Sequence, residues 1–162
     1  MVVNLAKETA LKFGNHLPTL IIEGKRESVF AQLDNVANTH EGRLRQMFTL
    51  GATLGEQGVI GSLQQMFYIS EAWVSMAQKG EMLPDVPPSQ DPKRKEVLVI
   101  VNFHAQRQNM QMVMLEMVRD TEGQLVALPE LQRSGQAGEH AESPLVTAFV
   151  RGFQVGSSRK LN

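Results

Sequence analysis

From Met66 to Met76 the chain alternates with a period of two, and both series it generates are largely apolar. Met66, Tyr68, Ala72, Val74 and Met76 fall on one side of an extended strand, and Phe67, Ile69, Glu71, Trp73 and Ser75 on the other. Successive side chains of a strand point to opposite faces. A strand apolar on both sides is therefore expected inside a sheet that is covered on both faces. A second segment repeats the demand. Glu96 to His104 carries Val97, Leu98, Val99, Ile100 and Val101 in sequence. After a polar break over Ala105 to Asn109, Met110, Met112, Met114, Glu116 and Val118 alternate with Gln111, Val113, Leu115, Met117 and Arg119. Two such runs joined by a short polar break predict an antiparallel hairpin.

The remaining segments are shorter or more ambiguous. Ala6, Ala10 and Phe13 share one helical face, with Asn4 as N-cap and Gly14 as the stop. Thr19 to Glu23 and Ser28 to Leu33 predict a hairpin, against a competing reading in which Glu27 to Leu33 opens a helix. Asn38 and Glu41 have capping-box spacing ahead of Leu44, Met47, Phe48, Gly51, Leu54 and Gly55, a helical period closed by Gly58. Glycine inside a helix costs about 1 kcal/mol relative to alanine. Gly51 and Gly55 therefore predict a close approach of this helix backbone to the sheet. Residues 80–95 hold four of the seven prolines and predict a long loop. Leu125 to Leu128 predicts a strand, Gln132 to Ser143 an exposed loop, and Leu145 to Val155 a final strand, with Gly152 marking a bulge or a close backbone approach.

Helical segments come first and strands dominate after residue 62. The expected class is α+β, with a mostly antiparallel sheet of about five to six strands and two N-terminal-half helices packed on one face. A curved, cystatin-like arrangement is compatible with this order, as an analogy of element order and not a family match. The expected domain spans residues 1–155, with 156–162 a flexible C-terminal tail.

Composition removes several function classes. Sixteen Lys and Arg residues face seventeen Asp and Glu, for a formal net charge of −1. The signs also balance within residues 1–60 and within 97–162, so no basic stripe recruits a phosphate backbone, which argues against nucleic acid. The chain has no cysteine, which removes disulfides, thiolate nucleophiles and cysteine-ligated metals. Met1 to Glu8 lacks the order of a secretory signal, and no run approaches the roughly 18 apolar residues of a membrane span. These features predict a cytoplasmic protein with no membrane partner. Phosphate-binding loops, dinucleotide loops, H-E-x-x-H, G-x-S-x-G and EF-hand sequences are all missing. His16, His40, His104 and His140 are too scattered for a local chelate, so neither a metal nor a cofactor is expected.

A few residues could carry chemistry. Twofold alternation sets Glu71 on the face of Phe67, Ile69 and Trp73. A desolvated carboxylate there would serve as a general acid or base. The structural alternative is an ion pair with Arg94, Arg119 or Arg151. His104 ends the strongest strand and would complete an acid–base pair with Glu71 only if their strands are neighbours. Lys93, Arg94 and Lys95, with Trp73, are the candidate contacts for a ligand or partner.

The nine methionines and the two-faced strands raise a different question. Two short helices cover one face of a sheet, and something has to cover the other. A second copy of the chain is the leading candidate. The leading functional reading is therefore a non-catalytic interaction module that self-associates through apolar sheet surface. The alternatives are a small-molecule pocket between helix 41–57 and the sheet, gated by loop 80–95, and an acid–base enzyme using Glu71 and His104.

Overall fold

The computed structural model describes residues 1–77, 79–136 and 141–160. The chain opens with helix α1 (Val2–Phe13), strands β1 (Thr19–Gly24) and β2 (Ser28–Gln32), and helix α2 (His40–Gln57). Strand β3 (Leu63–Val74) follows, then a connection containing a short 3-10 turn at Pro88–Gln90, then β4 (Lys95–His104) and β5 (Asn109–Glu116). Short strands β6 (Val118–Arg119) and β7 (Leu125–Ala127) precede β8 (Glu130–Ser134) and a closing helix, α3 (Pro144–Lys160). Six strands form one antiparallel sheet in the order β2-β1-β3-β4-β5-β8, and β6 pairs with β7 separately. The α+β class and the antiparallel sheet are as the alternation demands. β3 and β4 lie in its interior, and the β4–β5 hairpin pairs Val97 with Glu116 through to His104 with Asn109.

The register sorts the core into two layers. Leu20, Ile22, Met66, Tyr68, Val101 and Phe103 point to one face, where they pack with Met47 and Leu54 of α2 and Val146, Phe149, Val150 and Phe153 of α3. Ile69, Leu98, Ile100, Val113 and Leu115 point to the other, against Ala6 and Ala10 of α1 and the flanking Met117, Leu125 and Leu128. Small alanines let α1 lie close to the strands. The two helices of the N-terminal half thus take opposite faces, and the companion of α2 is α3.

That pairing corrects the expected strand over Leu145 to Val155, and with it the tail: residues 156–160 belong to α3. The residues fit both periods, since Val146, Phe149, Val150 and Phe153 recur at helical spacing. The helix start settles the choice. Pro144 occupies the first helical position, and the Ser143 hydroxyl accepts a bond from the Val146 amide at 3.4 Å. Gly51 and Gly55 do mark a close approach, but the element they meet is α3 and not the sheet. A Cβ at Gly51 would run into the carbonyl oxygen of Phe149, and one at Gly55 into that of Phe153. Reciprocally, a Cβ at Gly152 would strike the Phe48 carbonyl, and one at Gly156 the Ala52 carbonyl. Both helices carry glycines four apart, and they run parallel with backbones in contact.

Several boundaries also differ. α1 starts at Val2 with no side-chain cap, so Asn4 lies within the helix and not at its cap; Gly14 closes it at φ 75°. At α2 the cap is Thr39, which accepts from the Gly42 amide at 3.0 Å, and not Asn38. Part of the expected loop 132–143 forms β8; its stretch 137–140, including His140, lies outside the described residues. No helix among the described residues is long and apolar enough to cross a membrane.

Candidate functional site

Glu71 and His104 both project from the α1 face, but the ladder separates them. Glu71 stands opposite Leu98, whereas His104 stands opposite Gln65. Six residues along β3 amount to roughly 20 Å, so no proton passes between the two side chains, directly or through one water. The acid–base pair is not assembled.

Glu71 instead anchors the chain leaving α1. Its carboxylate accepts the backbone N–H of His16. It also lies in the field of Arg119, one of the cations considered for it. Arg119 bonds a different carboxylate directly, donating Nε and Nη2 to Glu96 at 2.7 and 2.8 Å. Its Nη1 reaches the carbonyls of Gly14 at 3.0 Å and Gly123 at 3.3 Å. Glu96, through hydrogen bonding, raises the pKa of the Arg119 guanidinium above its ordinary value. The group is a structural clamp that ties the end of α1 and the β6–β7 turn to the sheet.

The basic run is also largely committed. Arg94 stacks over the Trp73 ring at 4.6 Å from its centroid, a cation–π contact. Lys95 bonds Glu116 at 2.9 Å. The Lys93 amide donates to Asp91 at 2.8 Å while its side chain is exposed. Asp91, which is buried, also accepts the Ser75 hydroxyl at 2.6 Å. That bond foremost, then the Lys93 amide, holds the Asp91 carboxyl below its ordinary value. These contacts fasten the far end of loop 80–95 against β3. The loop is not placed to gate the helix–sheet cleft, because none of its residues lines it.

His104 belongs to a polar cluster that sequence spacing does not reveal. Asn102 bonds Gln65 at 2.8 Å and His104 Nε2 at 3.1 Å. Gln65 stands opposite His104, and Asn102 lies two residues along β4 on the same face, a proximity that appears only once the register is known. Glu23 lies beyond Gln65 on the same rung, two strand spacings or roughly 10 Å from His104. Glu23, Gln65, His104 and Arg107 line one polar pocket of about 270 Å³ at this end of the sheet. Among the described residues, no group of acidic and histidine side chains is arranged to hold a metal ion.

The sheet edge at β2 is open, with Ser28, Phe30 and Gln32 exposed. Beside it, a cleft of about 650 Å³ runs between α2 and the chain leaving β2, lined by Gln32, Leu33, Gly42, Gln46, Leu50 and Thr53 among others. Gln46 fixes its wall by bonding the Ala37 amide and the Asn35 carbonyl at 2.8 and 2.7 Å. Phe30, in the middle of β2, is 63% exposed. Phe30 escaped attention in the sequence because an apolar residue in an alternating strand reads as core. Comparison of the chain with protein-family models, with curated proteins and with solved structures gives no match.

Proposed function

We propose that this protein is a non-catalytic interaction module that self-associates through apolar sheet surface. The observation that carries the reading is the apolar strand surface left over after three helices are in place. Phe30 stands exposed on β2, and Val99, Met112 and Met114 are only half-buried beside the α2–α3 pair. The surplus is smaller than two helices would leave, because α3 covers part of it. Exposed apolar strand residues near a sheet edge favour association. The separation of Glu71 from His104 weakens the competing reading that relies on that acid–base pair.

Sedimentation velocity across low to high micromolar concentrations tests this. A sedimentation coefficient that rises with concentration toward a dimer is expected, and a monomer throughout would contradict it. A second reading rests on the cleft beside α2, whose volume lies within the range of small-molecule sites. It predicts that filling the cleft with Leu50→Trp abolishes a ligand-induced rise in melting temperature found by screening.

A further inference from the structure

The polar end of the α1 face holds a pocket for which self-association has no use. Glu23, Gln64, Gln65, His104, Gln106 and Arg107 line about 270 Å³ there. Backbone bonds fix its walls. The Ala105 N–H donates to the Gln64 carbonyl at 2.9 Å, which ties the turn between β4 and β5 to β3. Gln108, at φ 50°, closes that turn by donating its side-chain amide to the Ala105 carbonyl at 2.6 Å. Gln106 and Arg107 are carried on this closed turn. On the other side the β1–β3 ladder shifts register between Glu23 and Gly24, an irregularity of the kind that re-aims a side chain.

Two opposite charges line this pocket without meeting. The Glu23 carboxylate and the Arg107 guanidinium form no ion pair with each other or with any other described residue. Between them, two amides fix what His104 offers. Gln65 Nε2 donates to Asn102 Oδ1 at 2.8 Å, which leaves Asn102 Nδ2 for His104. An amide nitrogen only donates, so His104 Nε2, 3.1 Å away, accepts, and the neutral ring carries its proton on Nδ1. His104 thus brings a donor to the pocket it lines, beside the cation of Arg107 and across from the acceptor Glu23. We infer that the pocket binds a small zwitterion, an amino acid or short peptide, with its carboxylate on Arg107 and His104 and its ammonium on Glu23. The two charges of such a ligand each meet an opposite charge. A simple anion would face the Glu23 carboxylate, and a simple cation the Arg107 guanidinium. The volume lies just below the roughly 300 Å³ at which sites for drug-sized molecules begin, which limits the ligand to this size.

The test is nitrogen-15 NMR of the full chain, following the His104 imidazole and the side-chain amides of Gln65 and Asn102. In the free protein the neutral imidazole should carry its proton on Nδ1, and a proton on Nε2 would overturn the donor assigned to the pocket. Titration with glycine and with glycylglycine should move these signals at millimolar concentration, and the tighter of the two gives the charge spacing that the pocket accepts. The N-acetyl form of that compound, which lacks the ammonium, and its amide, which lacks the carboxylate, should each bind about three- to tenfold more weakly. Glu23→Gln should abolish the preference over the N-acetyl form, and Arg107→Gln the preference over the amide, with circular dichroism confirming each fold. Signals unmoved by either zwitterion would overturn the site. Equal binding of the free and blocked compounds would overturn the ligand class. Preferences that survive both substitutions would overturn the roles given to Glu23 and Arg107.

Discussion

Gly152 of α3 lies so close to the backbone carbonyl of Phe48 in α2 that no side chain fits between them. The neighbours a Cβ would meet are backbone atoms of Phe48 and Ala52, which can retreat only by moving the helix. Alanine is the better helix former by about 1 kcal/mol, but overpacking a tight contact costs typically 1–3 kcal/mol or more. Because rigid backbone is the obstacle, the overpacking term should win. Gly152→Ala is expected to destabilise the fold by about 2 kcal/mol, read as a lower urea midpoint. A raised midpoint would mean that the two helices are less closely packed than described.

The clamp at Arg119 gives a second expectation. Its planar fork holds both oxygens of Glu96 and two backbone carbonyls, a set that a lysine ammonium cannot reproduce. Arg119→Lys should cost about 1–3 kcal/mol and speed hydrogen exchange across 14–17 and 120–124. Global loss of stability with no local change there would show that the clamp does not organise those segments.

Acid should loosen the end of loop 80–95 first at Asp91. Its folded pKa lies below the ordinary 3.8, so the stabilisation it provides is present above that value. It is lost as pH falls through the lower, folded-state pKa. Trp73 is the chain's only tryptophan and stacks on Arg94, three residues from Asp91, so its fluorescence should report the change. Ser75→Ala removes the main cause of the depression. The transition should then move to higher pH, and an unmoved transition would assign it to another group.

What the sequence made legible was the part governed by alternation. The faces of β3, the hairpin of β4 with β5 and the stops at Gly14 and Gly58 follow from residue spacing alone. The α3 segment was less legible, because Leu145 to Val155 is rich in β-branched and aromatic residues and satisfies both periods. Its helix is decided by the Ser143–Pro144 start and by four glycines, two in each helix, that make sense only together. Gly51 and Gly55 announced a close contact but not its partner, since sequence spacing does not name what lies across a gap. The candidate sites were harder still. The distance from Glu71 to His104 depends on the register of two strands, and the openness of β2 depends on its being outermost, which strand order alone decides.

Association through the open β2 edge is tested most directly by amide hydrogen exchange resolved residue by residue at two protein concentrations. Val29 and Ala31 donate to β1 within one chain and should be protected at both. Ser28, Phe30 and Gln32 should exchange fast when dilute and become protected when concentrated, in strict alternation with their neighbours. Equal exchange of Ser28, Phe30 and Gln32 at both concentrations, in a sample that sediments as a dimer when concentrated, would contradict association through this edge.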